Sequence, residues 1–359
     1  MTEMLRLPAE QAYQAELEAL KQEDTGARPP NWQLSPRAVV TYLMGGKTAS
    51  GVEISAKYFG DASLIETAVA TLATDRALLL LGVPGTAKSW VSEHLSAAIC
   101  GDSTQVIQCT SGTDENQIRY GWNYAQLLAK GPSLDALVPT PLYRAMQNGT
   151  LCRLEELTRM GSDVQDTLIT ILSEKMLPIP ELNQAIYAQR GFNLIATANN
   201  RDKGVNELSS ALKRRFNVVV LPLPDDRAQE VAIVYQRVQE MGAALDLPVP
   251  AQAAAEIEKV VTIFRELRAG ETQDANMRLK TPSASLSTAE AISVMVGSLS
   301  QAHWFSEGRL SAQEISHNLI GAIVKDPVQD KAVLAEYLET VLKKRSGFEG
   351  YYRSLHARL

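Results

Sequence analysis

The stretch Leu78-Leu79-Leu80-Leu81-Gly82-Val83-Pro84-Gly85-Thr86-Ala87-Lys88-Ser89 decides the reading of this chain. An apolar run ends in a loop with two glycines, then Lys-Ser, then a helical pattern, so it reads as strand, phosphate loop, helix. In the pattern G-x-x-x-x-G-K-[ST], backbone N–H groups of the loop and of the following helix N-terminus face phosphate oxygens. Lys88 would reach the β- and γ-phosphates, and Ser89 would hold Mg²⁺ through its hydroxyl. The candidate cradle is Gly82, Val83, Pro84, Gly85, Thr86, Ala87, Lys88, Ser89 and Trp90. Ala87 stands where the second glycine is expected, and its methyl costs little if that residue is already helical. A plain Gly-rich turn before a surface lysine is disfavoured by the strand-then-helix context.

The 359 residues allow two or three domains and a sizeable core. Hydrophobic residues make up 45% and charged residues 21%, as in globular proteins generally. The formal net charge of -6 argues against a dedicated nucleic-acid binder, whose domain is usually basic. Cys100, Cys109 and Cys152 have no metal-ligand spacing and read as buried thiols in a reducing compartment. The four histidines form no ligand pair. No signal peptide is evident, and no run reaches the roughly 18 apolar residues of a membrane span. The expectation is a cytoplasmic protein with no membrane span.

Residues 1–25 carry Ala9, Tyr13, Leu17 and Leu20 at helical spacing, an amphipathic helix. Ser35-Pro36 reads as an N-cap with proline in the first turn, and Gly45-Gly46 ends that helix. A further helix begins at Asp61 and leads to the strand 77–81. After the loop come a helix (89–100), a strand (105–109), and a polar, aromatic segment (110–135) that suits an exposed insertion. A helix over 141–147 closes at Asn148-Gly149. The strand Thr150-Leu-Cys-Arg-Leu-Glu155-Glu156 ends in two acids. Ser162 with Gln165 has capping-box spacing, residues 176–192 suggest a hairpin, and 193–199 and 217–223 are strands. Strands alternating with helices imply a parallel sheet covered on both faces. From Asp225 onward the pattern is helical: 226–241, 251–268, 287–302, 311–324 and 328–345.

Parallel strands deliver their tips to one edge of the sheet, where the phosphate loop lies. An acid at such a tip can bind Mg²⁺, and a second can polarise an attacking water. Glu155 and Glu156 are candidates for these roles, with Glu155 standing where an Asp is usual. The amide of Asn199, on the next strand, could bond a γ-phosphate oxygen and the water in line with it. Arg214 and Arg215, before the last strand, are candidates to stabilise developing phosphoryl charge from a neighbouring subunit. A turn-forming Asn-Asn and a rim salt bridge are the plainer alternatives for the last two features.

The set GVPGTAKS, LCRLEEL, IATANN and ALKRRF, in that order, resembles the AAA+ ATPases, and within them the MoxR-like branch. Glu155-Glu156-Leu157-Thr158-Arg159 looks like the family's Asp-Glu-Ile-Asn-Arg. Lys57-Tyr58-Phe59-Gly60 is similar to its segment near the nucleotide base, and Glu307-Gly308-Arg309-Leu310 with 311–315 resembles the end of its lid. The resemblance covers roughly 50–325. It implies an α/β P-loop NTPase sheet with helices on both faces and a small all-α lid. It also implies ATP with Mg²⁺ and a homo-oligomeric ring, commonly a hexamer. The expected division is a helical N-terminal extension (1–50), the AAA+ core (51–224), the lid (225–325) and a helical tail (326–359). Residues 110–135 and 176–192 correspond to family features that face the ring pore or a partner. The lid arginine that usually contacts the γ-phosphate is absent from Ser287-Thr288-Ala289-Glu290, and Arg278 and Lys280 are the nearby cations.

The function implied is an ATP-hydrolysing, chaperone-like remodeller or activator of a partner, as in MoxR-like relatives that act on proteins with a von Willebrand factor A domain. The alternatives are a nucleic-acid-stimulated motor and an ATP-binding scaffold with little hydrolysis. The tail cations Lys343, Lys344, Arg345, Arg353 and Arg358, interleaved with Phe348, Tyr351 and Tyr352, suit an acidic partner surface or nucleic acid, and the plainer alternative is a helical tail packing its aromatics on a neighbour.

Overall fold

A computed structural model describes residues 4–199, 206–283 and 285–359. The chain divides into two compact units, Met1–Val83 with Ala87–Leu221, and Pro84–Thr86 with Pro222–Leu359.

The first unit is built on five parallel strands: β1 (Ala77–Gly82), β2 (Val106–Gln108), β3 (Leu151–Glu155), β4 (Asn193–Asn199) and β5 (Phe216–Val220), in the order β5-β1-β4-β3-β2. The chain leaves β1 for the far edge, works back through β3 and β4, then crosses to β5. β1 is therefore the point where the order reverses, and the crevice beyond its C-terminal end is where open α/β sheets bind ligands. Register aligns Asn199 with Gly82, and Ala196 with Leu154. The tips of β1, β4 and β3 thus stand side by side.

Alternation along the strands makes two faces. Leu78, Leu80, Leu151, Ile195 and Val219 pack under α1 (Lys88–Cys100) through Val91, Leu95, Ala98 and Ile99. Leu79, Cys152, Leu154, Leu194 and Ala196 pack on the other side with Leu168, Ile171 and Leu172 of α2 (Ser162–Glu174). Each fully buried leucine contributes about 2 kcal/mol by leaving water. The N-terminal segment joins the first face: Leu20, Trp32, Leu34, Val39 and Tyr42 share its core. Ser35 caps the helix Pro36–Met44, and Gly45 ends it at φ 81°, as expected.

Three local expectations need correction. The N-terminal helix breaks at Tyr13, between Ala9–Ala12 and Gln14–Glu23, and the Tyr13 ring lies edge-on to Trp90 and His94. Ser162 forms no capping box. The N-cap is Gly161, and buried Gln165 donates to the Met160 carbonyl instead. The 110–135 segment is not wholly exposed. Its strand Tyr120–Trp122 pairs with Leu137–Pro139 and sends Tyr120 and Leu137 into the core, joined by Ile118 at the end of the short helix Glu115–Ile118, while Tyr124 and Leu128 stay 71% and 89% exposed. The second hairpin, Met176–Ile179 with Gln184–Tyr187, forms as expected.

The second unit is helical: α3 (Arg227–Ala244), α4 (Ala253–Ala269), α5 (Thr288–Phe305), α6 (Ala312–Ile323), α7 (Gln329–Thr340) and α8 (Glu349–His356). The helix expected over 328–345 stops at Thr340. A 3-10 turn over Leu342–Lys344 and an extended Arg345 then lead to α8. The stop has a cause: extended, Arg345 reaches the buried Glu266 carboxylate, which also accepts from Tyr337. Leu334, Tyr337, Tyr351 and Leu355 share one core with Val238, Phe264, Val294 and Leu319. Residues of the expected tail therefore pack within this unit, and Lys343 pairs with Glu339. Among the described residues no helix is long and apolar enough to cross a membrane.

Candidate functional site

The phosphate loop begins where β1 ends. Gly85 has φ 82° and Ala87 φ 61°, and α1 starts at Lys88. Ala87 is therefore left-handed, not helical, and the expectation that its methyl costs little fails. A Cβ in this region crowds the carbonyl, at about 1–2 kcal/mol, which is why glycine suits the position. α1 carries no side-chain N-cap and no acid in its first turn, so its N-terminal amides and dipole favour an anion. Lys88 Nζ donates to the carbonyls of Gly82 at 3.1 Å and Val83 at 2.9 Å, holding the ammonium over the loop. The Trp90 ring packs on His94 (centroids 4.2 Å apart) and lies edge-on to Tyr13.

Glu155 ends β3, 4% exposed. Its Oε2 accepts from Ser89 Oγ at 2.6 Å and Thr197 Oγ1 at 2.7 Å. Its Oε1 accepts from Ser92 Oγ at 2.6 Å and Arg153 Nη2 at 2.8 Å. Burial pushes this carboxyl up, but the Arg153 guanidinium and the three hydroxyls outweigh it and hold it below the usual carboxylate range. Ser89 and Glu155, singled out separately in the sequence, thus meet directly.

Glu156 has φ 58°, a left-handed residue at the end of a strand. Its N–H donates to Thr197 Oγ1, and its carboxylate accepts from Asn199 and Arg159. Backbone held in this region gathers where a side chain must be aimed. Asn199 ends β4 beside Gly82; Asn200, the second of the Asn-Asn pair, lies outside the described residues. Arg215 donates to the Ser173 hydroxyl and, at 2.6 Å, to the Ala211 carbonyl, whereas Arg214 is exposed. Of Arg278 and Lys280, the cations that precede Ser287 in the sequence, Lys280 pairs with Glu336. Ser287 and Glu290 close a capping box at the start of α5.

Sequence reasoning passed over Arg153, Ser92 and Thr197. The available signal was a lone charge inside the apolar run Leu151-Cys152-Arg153-Leu154, two residues from Glu155 and hence on the same face of the strand.

Residues 77–216 match the AAA domain of the dynein-related subfamily, and residues 228–356 match the YehL-like AAA+ ATPase C-terminal domain. The chain is 42% identical to YehL of Escherichia coli over 358 residues, 98% of this chain and 97% of YehL. It is 28% identical over 160 residues to SH1500 of Staphylococcus haemolyticus, 44% of this chain and 60% of that protein. The structure of NtrX from Brucella abortus in complex with ADP is similar with a TM-score of 0.48 at 12% identity, covering 77% of this chain and 58% of that one. By its AAA domain, its C-terminal domain and its near full-length likeness to YehL, the chain belongs to the MoxR-like AAA+ ATPases of the YehL kind.

Proposed function

We propose that this protein binds ATP with Mg²⁺ and hydrolyses it within a ring of like subunits, commonly a hexamer, to remodel or activate a partner protein in the cytoplasm. The observation that carries the reading is the 2.6 Å bond from Ser89 to Glu155, which joins the phosphate loop and the acidic strand tip in one site.

The donor set fits Mg²⁺. A hydroxyl and a carboxylate are hard oxygen ligands, and among the described residues no cluster of three or more His, Cys, Asp or Glu could hold a metal alone. Mg²⁺ is characteristically held by one or two protein oxygens together with nucleotide phosphates. Ser89 and Glu155 would hold it; when bound, it neutralises charge developing on the phosphates. Ser89 donates its hydroxyl hydrogen to Glu155, which leaves its Oγ lone pairs for the ion. The loop and α1 amides bind phosphate oxygens, and Lys88 adds a positive charge. Glu156 accepts the proton of the attacking water at its carboxylate, and Asn199 orients that carboxylate and the water. Arg214 or Arg215 serves the site of the adjacent subunit. Three free cysteines suit a reducing compartment. The exposed Tyr124 and Leu128 on the insertion are apolar groups available to a partner, such as a von Willebrand factor A domain.

The lack of an arginine in Ser287-Thr288-Ala289-Glu290, where the family's lid arginine usually stands, favours a second reading, in which nucleotide mainly sets the shape of a scaffold and turnover is slow. Phosphate release by the wild type and by Glu156→Gln separates the two. Equal release from both removes the hydrolytic reading.

A further inference from the structure

Arg153 is a charged residue at the centre of a buried strand. It is 7% exposed, paired in register with Val106 of β2 on one side and Ile195 of β4 on the other. A guanidinium in such a place demands partners, and the ones it has are informative. Nε donates to Ser92 Oγ at 3.1 Å and Nη1 to the Ser103 carbonyl at 3.0 Å. Nη2 donates to the Ser89 carbonyl at 3.1 Å and to Glu155 Oε1 at 2.8 Å. Three of these four groups belong to, or directly bond, the two residues proposed to hold Mg²⁺.

Each oxygen of the Glu155 carboxylate accepts two bonds, and the two sides differ in charge. Arg153 and Ser92 hold Oε1, while two hydroxyls, of Ser89 and Thr197, hold Oε2. Fixing one oxygen fixes the plane and reach of the carboxylate. A glutamate has one more rotatable bond than an aspartate, so at this position it needs such a restraint more. The same guanidinium also holds the carbonyl of Ser89, which ties the first turn of α1 to β3. A buried ion pair serving stability alone would not need to converge on Ser89.

We propose that Arg153 is a positioning residue for the metal site. It clamps Oε1 of Glu155 and the backbone of Ser89 so that Oε2 and the Ser89 hydroxyl meet where the cation is held, and it thereby suits a glutamate to the place of the usual aspartate. The inference rests on the Mg²⁺-nucleotide reading above. Partners one step removed from a metal ligand typically change metal affinity by about 10–100-fold when lost.

The test uses the full-length protein, a fluorescent ADP analogue and a Mg²⁺ titration, with no turnover required. In R153L, ADP affinity in EDTA stays within about threefold of wild type, while the Mg²⁺ concentration for half-maximal tightening rises about tenfold or more. When Glu155→Asp is already present, adding R153L shifts the Mg²⁺ midpoint by less than about twofold, because the shorter acid does not depend on the clamp. An unchanged midpoint in R153L, or an equal shift with and without Glu155→Asp, overturns the proposal and leaves Arg153 a purely structural ion pair. Should R153L lose EDTA-state binding as well, R153K is read instead, since it keeps a cation but cannot make all four bonds. A raised midpoint supports the inference and a wild-type midpoint overturns it. A wild-type protein whose ADP binding ignores Mg²⁺ overturns the metal reading itself, a result distinct from all of these.

Discussion

The side-chain amide of Asn199 donates to both carboxylate oxygens of Glu156, at 3.2 and 3.1 Å. The two residues sit at the ends of adjacent strands, and Glu156 is held in a left-handed conformation that its own side chain does not favour. The contact fixes a carboxylate beside the phosphate loop without itself joining Glu155 and Ser89. Glu156→Gln should lower phosphate release at least about a hundredfold, the lower range for losing a general base. Nucleotide affinity should stay within about threefold, since no phosphate-binding group is altered. Steady-state phosphate release alongside equilibrium ADP binding measures both, and a variant that turns over at the wild-type rate refutes the role given to Glu156.

Ala87 carries a measurable strain. Its φ of 61° is glycine-like, so Ala87→Gly relieves the Cβ crowding while adding some freedom to the unfolded chain. The two terms oppose each other, and the first is larger, giving a net stabilisation of about 0.5–1 kcal/mol. Ala87→Val should go the other way by more, because a β-branched side chain is poorly tolerated at positive φ. Denaturant unfolding of the three proteins checks the order Gly, Ala, Val. If valine proves as stable as glycine, the loop is not left-handed at residue 87.

What could be read from the sequence was what is periodic or what terminates an element. The apolar runs gave the strands, and Lys88-Ser89, Glu155-Glu156 and Asn199 were legible because the tips of parallel strands converge on one edge. What escaped depended on neighbours distant in sequence. Arg153 makes sense only when Ser89, Ser92 and Ser103 are brought beneath it. Ser162 and Gln165 have capping-box spacing, yet Gln165 turns inward to the Met160 carbonyl. The break at Tyr13 follows from an aromatic contact with α1 that helical spacing does not encode. The stop at Thr340 was hidden for the same reason, since the carboxylate that draws Arg345 out of the helix lies on α4.

Arg214 and Arg215 are adjacent but differently placed. Arg215 is held by the Ser173 hydroxyl and the Ala211 carbonyl, so its guanidinium is committed within its own subunit. In the proposed ring, exposed Arg214 is the one suited to reach the site of the next subunit. Arg214→Ala should cut turnover on the order of a thousandfold, as for a trans-acting arginine, with nucleotide binding and thermal stability near wild type. Arg215→Ala should mainly lower thermal stability. Mixing Arg214→Ala with Lys88→Ala should recover part of the activity, because a mixed interface can pair an intact loop with an intact arginine. No recovery, with mixed assemblies demonstrated, excludes a trans role for Arg214.

Asp330 gives the helical unit a defined pH dependence. Its side chain is fully buried near the start of α7, and it accepts from the amides of Ser283 (2.7 Å), Lys325 (2.8 Å) and Asp326 (2.7 Å) and from the Ser283 hydroxyl (2.8 Å). Burial pushes the carboxyl up, but these donors outweigh it and hold it at about 2, against an ordinary 3.8. A depressed folded-state value means that the stabilisation is complete above the unfolded value and is lost as pH falls from about 4 toward 2. The shift corresponds to about 2 kcal/mol at neutral pH. Asp330→Asn should therefore lower the stability of the helical unit by about that amount at pH 7, since an amide cannot accept all four bonds. The gap between variant and wild type should begin to narrow as the pH is taken from 5 to 3. Urea unfolding followed by circular dichroism gives the gap, and hydrogen exchange at the Lys325 and Asp326 amides reports the same loss locally. A variant as stable as wild type at pH 7, or a gap that widens on acidification, contradicts the assignment.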